Sequence, residues 1–286
     1  MRYSNQKKGM LLAFTAIMFI TPDSLLIRLA GVESWNLIFY RGLIPFLVVF
    51  TGLIFVYKKK LLNEFLKNSW HGLAYVIVFA ITNIVFVISI ENTNVANTLI
   101  MIALAPMLSA IISFIFLNEN PDKKTWIAII ITTVAVIYIF YDALDAGDFL
   151  GNFLGLITAL GLAVGANIIR SAKKISLVPS AMMGKLLVAL IALLFVDQIN
   201  LEGNDLIIVP LMCVMCVAIP FVLVTLAPRY ISAAEVNLFF LLETIFGPIW
   251  VWLVIKEQPS FETIFGGCVI VITIAIHSIL ALKKIK

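Results

Sequence analysis

Apolar residues dominate ten stretches of the chain, each about as long as a helix that crosses a bilayer, and short polar connections separate them. A hydrocarbon core of roughly 30 Å requires about 20 apolar residues of helix. The runs lack the polar and apolar alternation of a membrane β-barrel. The pattern predicts an all-α polytopic membrane protein with transmembrane helices near residues 10–30, 36–57, 71–90, 94–117, 124–141, 150–169, 178–196, 206–227, 233–255 and 261–281.

Composition agrees with this pattern and excludes a water-soluble domain. Hydrophobic residues make up 62% of the 286 residues and charged residues 13%, and the mean hydropathy is +1.10. No Walker motif is present, so an ATP-driven pump of the ordinary type is not expected. Cys213 and Cys216 lie within an apolar span, where thiols pack as small hydrophobes. We therefore expect no cofactor and no metal site.

The distribution of Lys and Arg predicts the orientation of the helices. When the N-terminus is placed in the cytoplasm, 16 of the 20 Lys and Arg residues fall on the cytoplasmic side, and only Arg28 and Lys256 fall outside. This asymmetry is the one that the positive-inside rule describes. Both termini are therefore predicted to be cytoplasmic, in a multi-pass protein of the cell membrane, expected to be a bacterial inner membrane. The net charge of +4 reflects this topology and gives no reason to expect a nucleic-acid partner.

The chain also contains a weak internal repeat. Leu117–Pro121 ends the fourth predicted span, and the similar segment Ile255–Pro259 ends the ninth, 138 positions later. Five spans in each half is an odd number, so the second half must cross the membrane in the opposite direction. The sequence therefore predicts two inverted five-helix repeats, over residues 1–145 and 146–286.

These features resemble the drug/metabolite transporter superfamily, of the EamA type. The resemblance is carried by Asn94–Pro121 and Tyr230–Pro259, together with Phe39-Tyr40-Arg41 at the start of the second span. It implies a secondary active transporter, not an enzyme, that moves small organic metabolites, often amino acids, outward. Transport would proceed by alternating access through a central cavity between the two repeats.

The chain departs from one family pattern. Many members carry Leu-Glu-Pro in the fourth or ninth span, whereas this chain divides those elements between two places. Leu104-Ala105-Pro106 lacks the acid, and Leu242-Glu243-Thr244 lacks the proline, although Pro248 follows one turn later. This departure affects the expected substrate more than the expected fold.

Ionisable side chains at membrane depth are costly and usually face a cavity or a partner. Asp23 follows Thr21-Pro22, and it either lines the pathway or pairs with Arg41 or Arg28. Arg41 and Lys185 each lie several residues inside the second span of their repeat. Inverted symmetry would place these two cations on opposite sides of the midplane as gates, and the alternative is that both snorkel to the headgroups.

Glu243 lies near the middle of the ninth span, too deep to snorkel. Its carboxyl group must be protonated, paired or hydrated there, so it is the candidate for proton coupling. The alternative is a neutral acid that is hydrogen-bonded to a neighbouring helix.

Uncharged polar and aromatic residues complete the candidate pathway or gate. Asn83, Asn97, Asn167 and Asn237 offer donors and acceptors that hydrocarbon cannot satisfy, although some would only join helices. Tyr40 and Trp250 are candidates for the cavity wall. The glycines of the sixth span, Gly151, Gly155, Gly161 and Gly165, indicate close helix packing.

Two alternative functions stay open at this stage. An intramembrane lipid-modifying enzyme would need a metal-binding or nucleophilic group of residues, and neither His71 nor His277 has one beside it in sequence. A channel would need a ring of like residues or a filter loop. The cations and acids within the spans together suit a zwitterion. The expected partners are thus a small-molecule substrate and the lipid bilayer, with protons as a candidate coupling ion and either a monomer or a dimer as the assembly.

Overall fold

The protein is described by a computed structural model that covers residues 2–58, 68–117, 123–146, 148–172, 175–227, 230 and 233–285. Within these ranges the secondary structure is helical. The helices are α1 (Arg2–Ile20), α2 (Asp23–Leu29), α3 (Ser34–Tyr57), α4 (Ser69–Asn92), α5 (Val95–Ile102), α6 (Ala105–Leu117), α7 (Lys123–Ala146), α8 (Phe149–Ser171), α9 (Val178–Ala192), α10 (Asp205–Met212), a π-helical turn (Cys213–Ala218), α11 (Ile219–Leu226), α12 (Ala233–Ile255) and α13 (Phe261–Ile285).

The described helices comprise seven candidate membrane spans and three shorter apolar helices, at the ten positions that the sequence predicts. The seven spans are long and apolar enough to cross a bilayer. The pairs α1 and α2, α5 and α6, and α10 and α11 each make up one span, the last pair through the π-helical turn. The all-α, ten-helix fold that the sequence predicts is confirmed.

Three spans that the sequence predicts as continuous are interrupted. The first breaks at Thr21 and Pro22, where the ring nitrogen of Pro22 cannot donate a helical hydrogen bond. The fourth breaks between α5 and α6, where the N–H of Leu104 donates to the carbonyl of Met101 in a tighter turn (3.1 Å). The eighth contains the π-helical turn. Irregular backbone at membrane depth is tolerated where it is buried in protein or lines a cavity.

The glycines of α8 let it approach α4, as the sequence predicts. A methyl group on Gly161 would clash with Thr82, and one on Gly151 would meet the backbone carbonyl of Asn92. Gly155 faces Met101 of α5 and Ser89 of α4. These contacts place α8 against the third and fourth spans, and this group of helices surrounds the candidate site.

Helices α3 and α9 also cross closely. A Cβ atom on Gly42 would lie 2.5 Å from the backbone nitrogen of Ala189 and 2.8 Å from the carbonyl oxygen of Lys185. Helix α9 ends at Ala192, earlier than the predicted residue 196. The crossing therefore brings Arg41, the neighbour of Gly42, to the level of Lys185.

Helices α7 and α13 pack against each other, with Gly266 of α13 against Ile139 of α7. The opposite face of α7 carries large apolar side chains that are exposed, namely Ile127, Ile130, Val134, Ile137 and Tyr141. This is the distribution expected of a face that contacts lipid.

Candidate functional site

A cavity of about 280 Å³ lies between the third, fourth, sixth and ninth spans. Its wall consists of residues from α4, from α5 and α6 with the turn between them, from α8 and from α12: Tyr75, Val78, Phe79, Thr82, Leu99, Ile102, Ala103, Ala105, Pro106, Ser109, Gly161, Leu162, Ala163, Gly165, Ala166, Ile169, Phe240, Leu241, Glu243 and Thr244. The break in the fourth span thus borders the cavity, and the turn residue Ala103 forms part of its wall.

Most of the cavity lies in the half of the bundle that the distribution of Lys and Arg predicts to be cytoplasmic. Tyr75 is two turns from the cytoplasmic start of α4, and Ile169 is close to the cytoplasmic end of α8. Thr82 lies near the middle of α4, and Leu99 lies four residues after the start of α5. The cavity therefore extends from near the start of α5 to near the end of α8, the end that the distribution of Lys and Arg predicts to be cytoplasmic.

Glu243 provides the one carboxylate among the described residues that line this cavity. Its side chain is half-buried, and it makes neither a hydrogen bond nor an ion pair with another described residue. Tyr75 and Thr244 also line the wall, and their hydroxyl groups likewise make no hydrogen bond to another described residue. Convergent polar groups in an otherwise apolar cavity are typical of a ligand site.

Asn167 lies beside the cavity and holds α8 to α6. Its Nδ2 donates to the Oγ of Ser109 (2.9 Å), and its Oδ1 accepts from Ser113 (2.6 Å). Ser109 lines the cavity, but Asn167 itself does not. The structure thus places Asn167 in a joint between helices, which was the alternative for the buried amides.

Asp23 and Arg41 form an ion pair outside the cavity wall. The two guanidinium nitrogens donate to the two carboxylate oxygens at 2.7 and 2.8 Å, and both side chains are nearly inaccessible. The guanidinium also lies 5.9 Å from the centre of the Phe86 ring. Of the alternatives for Asp23, the structure has the salt bridge to Arg41.

Lys185 is buried beside this pair. Its ammonium donates to the Oδ1 of Asn83 at 2.5 Å and lies 5.5 Å from the centre of the Phe79 ring. Phe79 also lines the cavity, whereas Lys185 does not. Arg41 and Lys185 both flank the crossing of α3 and α9, and their placement on opposite sides of the midplane stays a prediction.

A second polar cluster joins several spans on the outer side, and we call it the outer cluster. Arg28 pairs with Glu257 (3.3 Å) and donates to the carbonyl of Thr93 (2.6 Å). The other carboxylate oxygen of Glu257 accepts the backbone N–H of Val95 (2.7 Å). These contacts connect the ends of the first and ninth spans with the turn between the third and fourth.

Asn97 belongs to the same outer cluster. It donates from Nδ2 to the hydroxyl of Thr93 (3.1 Å) and accepts at Oδ1 from Thr263 of α13 (2.6 Å). Thr93 in turn donates to Asn152 of α8 (2.8 Å). Asn97 thus lies in the outer cluster and not in the wall of the cavity.

The remaining candidates lie away from the cavity wall. Trp250 donates from its indole nitrogen to the hydroxyl of Thr21 (3.2 Å), which ties α12 to the break in the first span. Tyr40 packs edge-on against Phe39, with the ring centres 5.3 Å apart. The side chain of Asn237 lies outside the described residues.

Sequence reasoning did not identify several residues of these clusters. Tyr75 lies near the end of a span, where a tyrosine is expected to anchor the helix at the membrane–water interface. Thr93, Asn152 and Thr263 stand at helix starts and turns, where their residue types are ordinary. Glu257 was indicated only by the internal repeat, in which Ile255–Pro259 corresponds to Leu117–Pro121.

The model of the EamA-like transporter family matches residues 7–141 and again residues 147–279. A protein of known crystal structure has the same fold, with a TM-score of 0.67 over 96% of this chain and 98% of its own, at 15% sequence identity. No functionally curated protein matches the sequence significantly.

Proposed function

Because the chain belongs to the EamA-like transporter family, we propose that it is a secondary active transporter that exports small organic metabolites. Substrate enters the cavity from the cytoplasmic side, and the two repeats then rearrange so that the cavity opens outward. Inverted repeats rock against each other in this way around a site near the bilayer midplane.

The observation that carries the proposal is the asymmetry between the cavity and the outer cluster. Most of the cavity lies in the half predicted to be cytoplasmic, whereas Arg28, Glu257, Thr93 and Asn97 join the first, third, fourth, ninth and tenth spans at the other end of the bundle. An accessible space on one side and a closed contact on the other is what alternating access requires of a single conformation. A continuous pore, by contrast, would need to pass through the outer cluster.

The test is counterflow in proteoliposomes that contain the purified protein. Vesicles are loaded with a high concentration of one unlabelled compound and diluted into the same compound carrying a label, with amino acids, organic acids, polyamines and nucleosides tried in turn. A transporter accumulates the label transiently above its equilibrium level, since outward flux of the unlabelled compound drives its exchange. Passive leakage through a channel gives equilibration without such an overshoot, and that result for every compound would contradict the proposal.

A further inference from the structure

We infer that the cavity binds small protonated amines with an apolar body and without a carboxylate, and that Glu243 supplies the counter-charge. This inference rests on the proposed function, because it names the substrate class of the same cavity. It is narrower than the expectation from the sequence, in which the two cations of the spans would hold the carboxylate of a zwitterion.

The charges on the cavity wall favour a cationic substrate. Among the described lining residues Glu243 has a carboxylate, whereas none is a Lys or Arg. Arg41 is occupied by both oxygens of Asp23, and Lys185 donates to Asn83 beside the ring of Phe79. A substrate carboxylate would therefore meet a like charge on Glu243 and no cation among the described residues of the wall, which is unfavourable in an apolar surrounding.

The hydrogen-bonding groups of the wall suit an ammonium. An ammonium has three N–H donors and no acceptor, so it needs acceptors around it. The carboxylate of Glu243 and the hydroxyl oxygens of Tyr75 and Thr244 line the same cavity, and none of them is engaged by another described residue. A charge-assisted bond to Glu243 would be the strongest of these contacts.

The rest of the wall sets the size and character of the substrate. Most lining residues are aliphatic or aromatic, as in the surfaces of Phe79, Leu99, Leu162 and Phe240. The volume of about 280 Å³ corresponds to roughly nine water molecules at ~30 Å³ each. A compound with on the order of ten non-hydrogen atoms would fit, and its apolar part would replace water against an apolar wall.

The test compares four probes of similar shape by calorimetric binding to the purified protein in nanodiscs. They are phenethylamine, its neutral analogue 2-phenylethanol, 3-phenylpropanoate and phenylalanine. We expect phenethylamine to bind saturably and at least tenfold more tightly than each of the other three. Equal binding of the amine and the alcohol, tighter binding of either carboxylate, or no saturable binding of the amine would overturn the inference.

Two variants test whether Glu243 causes the preference for phenethylamine over 2-phenylethanol. We expect Glu243→Gln to reduce the affinity for phenethylamine at least tenfold while leaving that for 2-phenylethanol within threefold. Glu262 lies in the first turn of α13 and outside the cavity wall. Glu262→Gln should therefore bind phenethylamine and 2-phenylethanol with the affinities of the unmodified protein. An equal loss in both variants, or no loss in either, would overturn the assignment to Glu243.

A measurement on the unmodified protein covers the case in which Glu243→Gln does not fold. Dicyclohexylcarbodiimide reacts with carboxyl groups in apolar surroundings, and mass spectrometry can follow the peptide that carries Glu243. Saturating phenethylamine should slow that modification at least fivefold, whereas 2-phenylethanol should not. Modification at the same rate with and without the amine would contradict the inference.

The inference and the proposed function can fail separately. Counterflow of organic acids or amino acids, with the amines neither bound nor exchanged, would leave a transporter and overturn the amine site. Amine binding that depends on Glu243, without counterflow of any compound, would leave the amine site and overturn the transport proposal.

Discussion

Asp23 and Arg41, 18 residues apart in the sequence, form a two-bonded ion pair inside the bundle, with nitrogen to oxygen distances of 2.7 and 2.8 Å. The side chains are only 6% and 7% exposed, respectively. Asp23 is the first residue of α2, directly after the break at Pro22, and Arg41 lies on α3. The pair therefore fixes the broken first span to the second, and it withdraws Arg41 from contact with a substrate.

Removing one partner of this pair should destabilise the protein strongly. Asp23→Asn leaves the guanidinium of Arg41 buried without a counter-charge, which typically costs about 3–5 kcal/mol. The double variant Asp23→Leu with Arg41→Met removes both charges and should recover most of that loss. The measurement is the free energy of unfolding in detergent for each variant.

Glu202→Gln is the matched control for charge, because Glu202 is exposed and its carboxylate accepts a hydrogen bond from Asn200 alone among the described residues. It should change the free energy of unfolding by about 0.5 kcal/mol or less. A double variant that is less stable than Asp23→Asn would contradict a structural role for the pair.

The crossing of α3 and α9 depends on Gly42. Gly42→Ala would force a methyl group into the backbone of α9 at Lys185 and Ala189, where no side chain can rotate away. We expect a loss of about 1–3 kcal/mol in stability, the range for overpacking. Gly52→Ala in the same helix has nothing within 4 Å of its added methyl group, so it should leave stability unchanged or raise it by about 0.5–1 kcal/mol. Equal effects of the two substitutions would show that the crossing is not tightly packed.

The sequence predicted the positions of the apolar helices because membrane insertion depends on apolar length, which is a local property. It did not predict the breaks at Leu104 and at Cys213–Ala218, because these depend on how neighbouring helices pack. The break at Pro22 did have a local signal, since a proline removes a helical hydrogen bond. The meeting of Arg41 with Lys185 depends on a helix crossing through Gly42, which no single segment encodes.

The candidate site was predicted in part. Glu243 was identified from its depth in the ninth span, and it does line a cavity. Arg41, Lys185 and Asn83 were also noticed for their cost in the membrane, but that cost is met by partners within the protein. Depth indicates that a polar side chain needs a partner, and only the packing shows whether that partner is the protein or a substrate.

Weakening the outer cluster should make the outward-open state more frequent. Glu257→Gln removes the charge that pairs with Arg28 and weakens the bond to the N–H of Val95. If the state that is closed on the outer side loses about 1 kcal/mol of stability, the population of the outward-open state rises roughly fivefold. Leu99→Cys, placed in the cavity wall, should then react about fivefold faster with a membrane-impermeant maleimide applied from outside the cell.

The labelling is done with Cys213, Cys216 and Cys268 replaced by alanine, so that Leu99→Cys provides the reactive thiol. Glu202→Gln serves again as the control on the same side of the membrane and should leave the rate unchanged. A rate that does not respond to Glu257→Gln would mean that the outer cluster does not control access.

Glu243 is the proposed site of proton coupling, so its replacement should separate transport from the proton gradient. In proteoliposomes, Glu243→Gln should reduce the stimulation of uptake by an imposed pH gradient at least tenfold, because an amide cannot exchange a proton. Glu262→Gln should respond as the unmodified protein does. Proton stimulation of the same size in Glu243→Gln would exclude Glu243 as the coupling site.

The central claim is that substrate passes through the cavity between the third, fourth, sixth and ninth spans. The most direct measurement is counterflow by Ala105→Phe, which fills that cavity, beside Ile137→Phe, which adds the same ring to an exposed apolar position of α7. We predict that Ala105→Phe reduces counterflow at least tenfold in protein that remains folded, and that Ile137→Phe exchanges substrate at the unmodified rate. Unchanged counterflow in Ala105→Phe would contradict the claim and place the pathway elsewhere in the bundle.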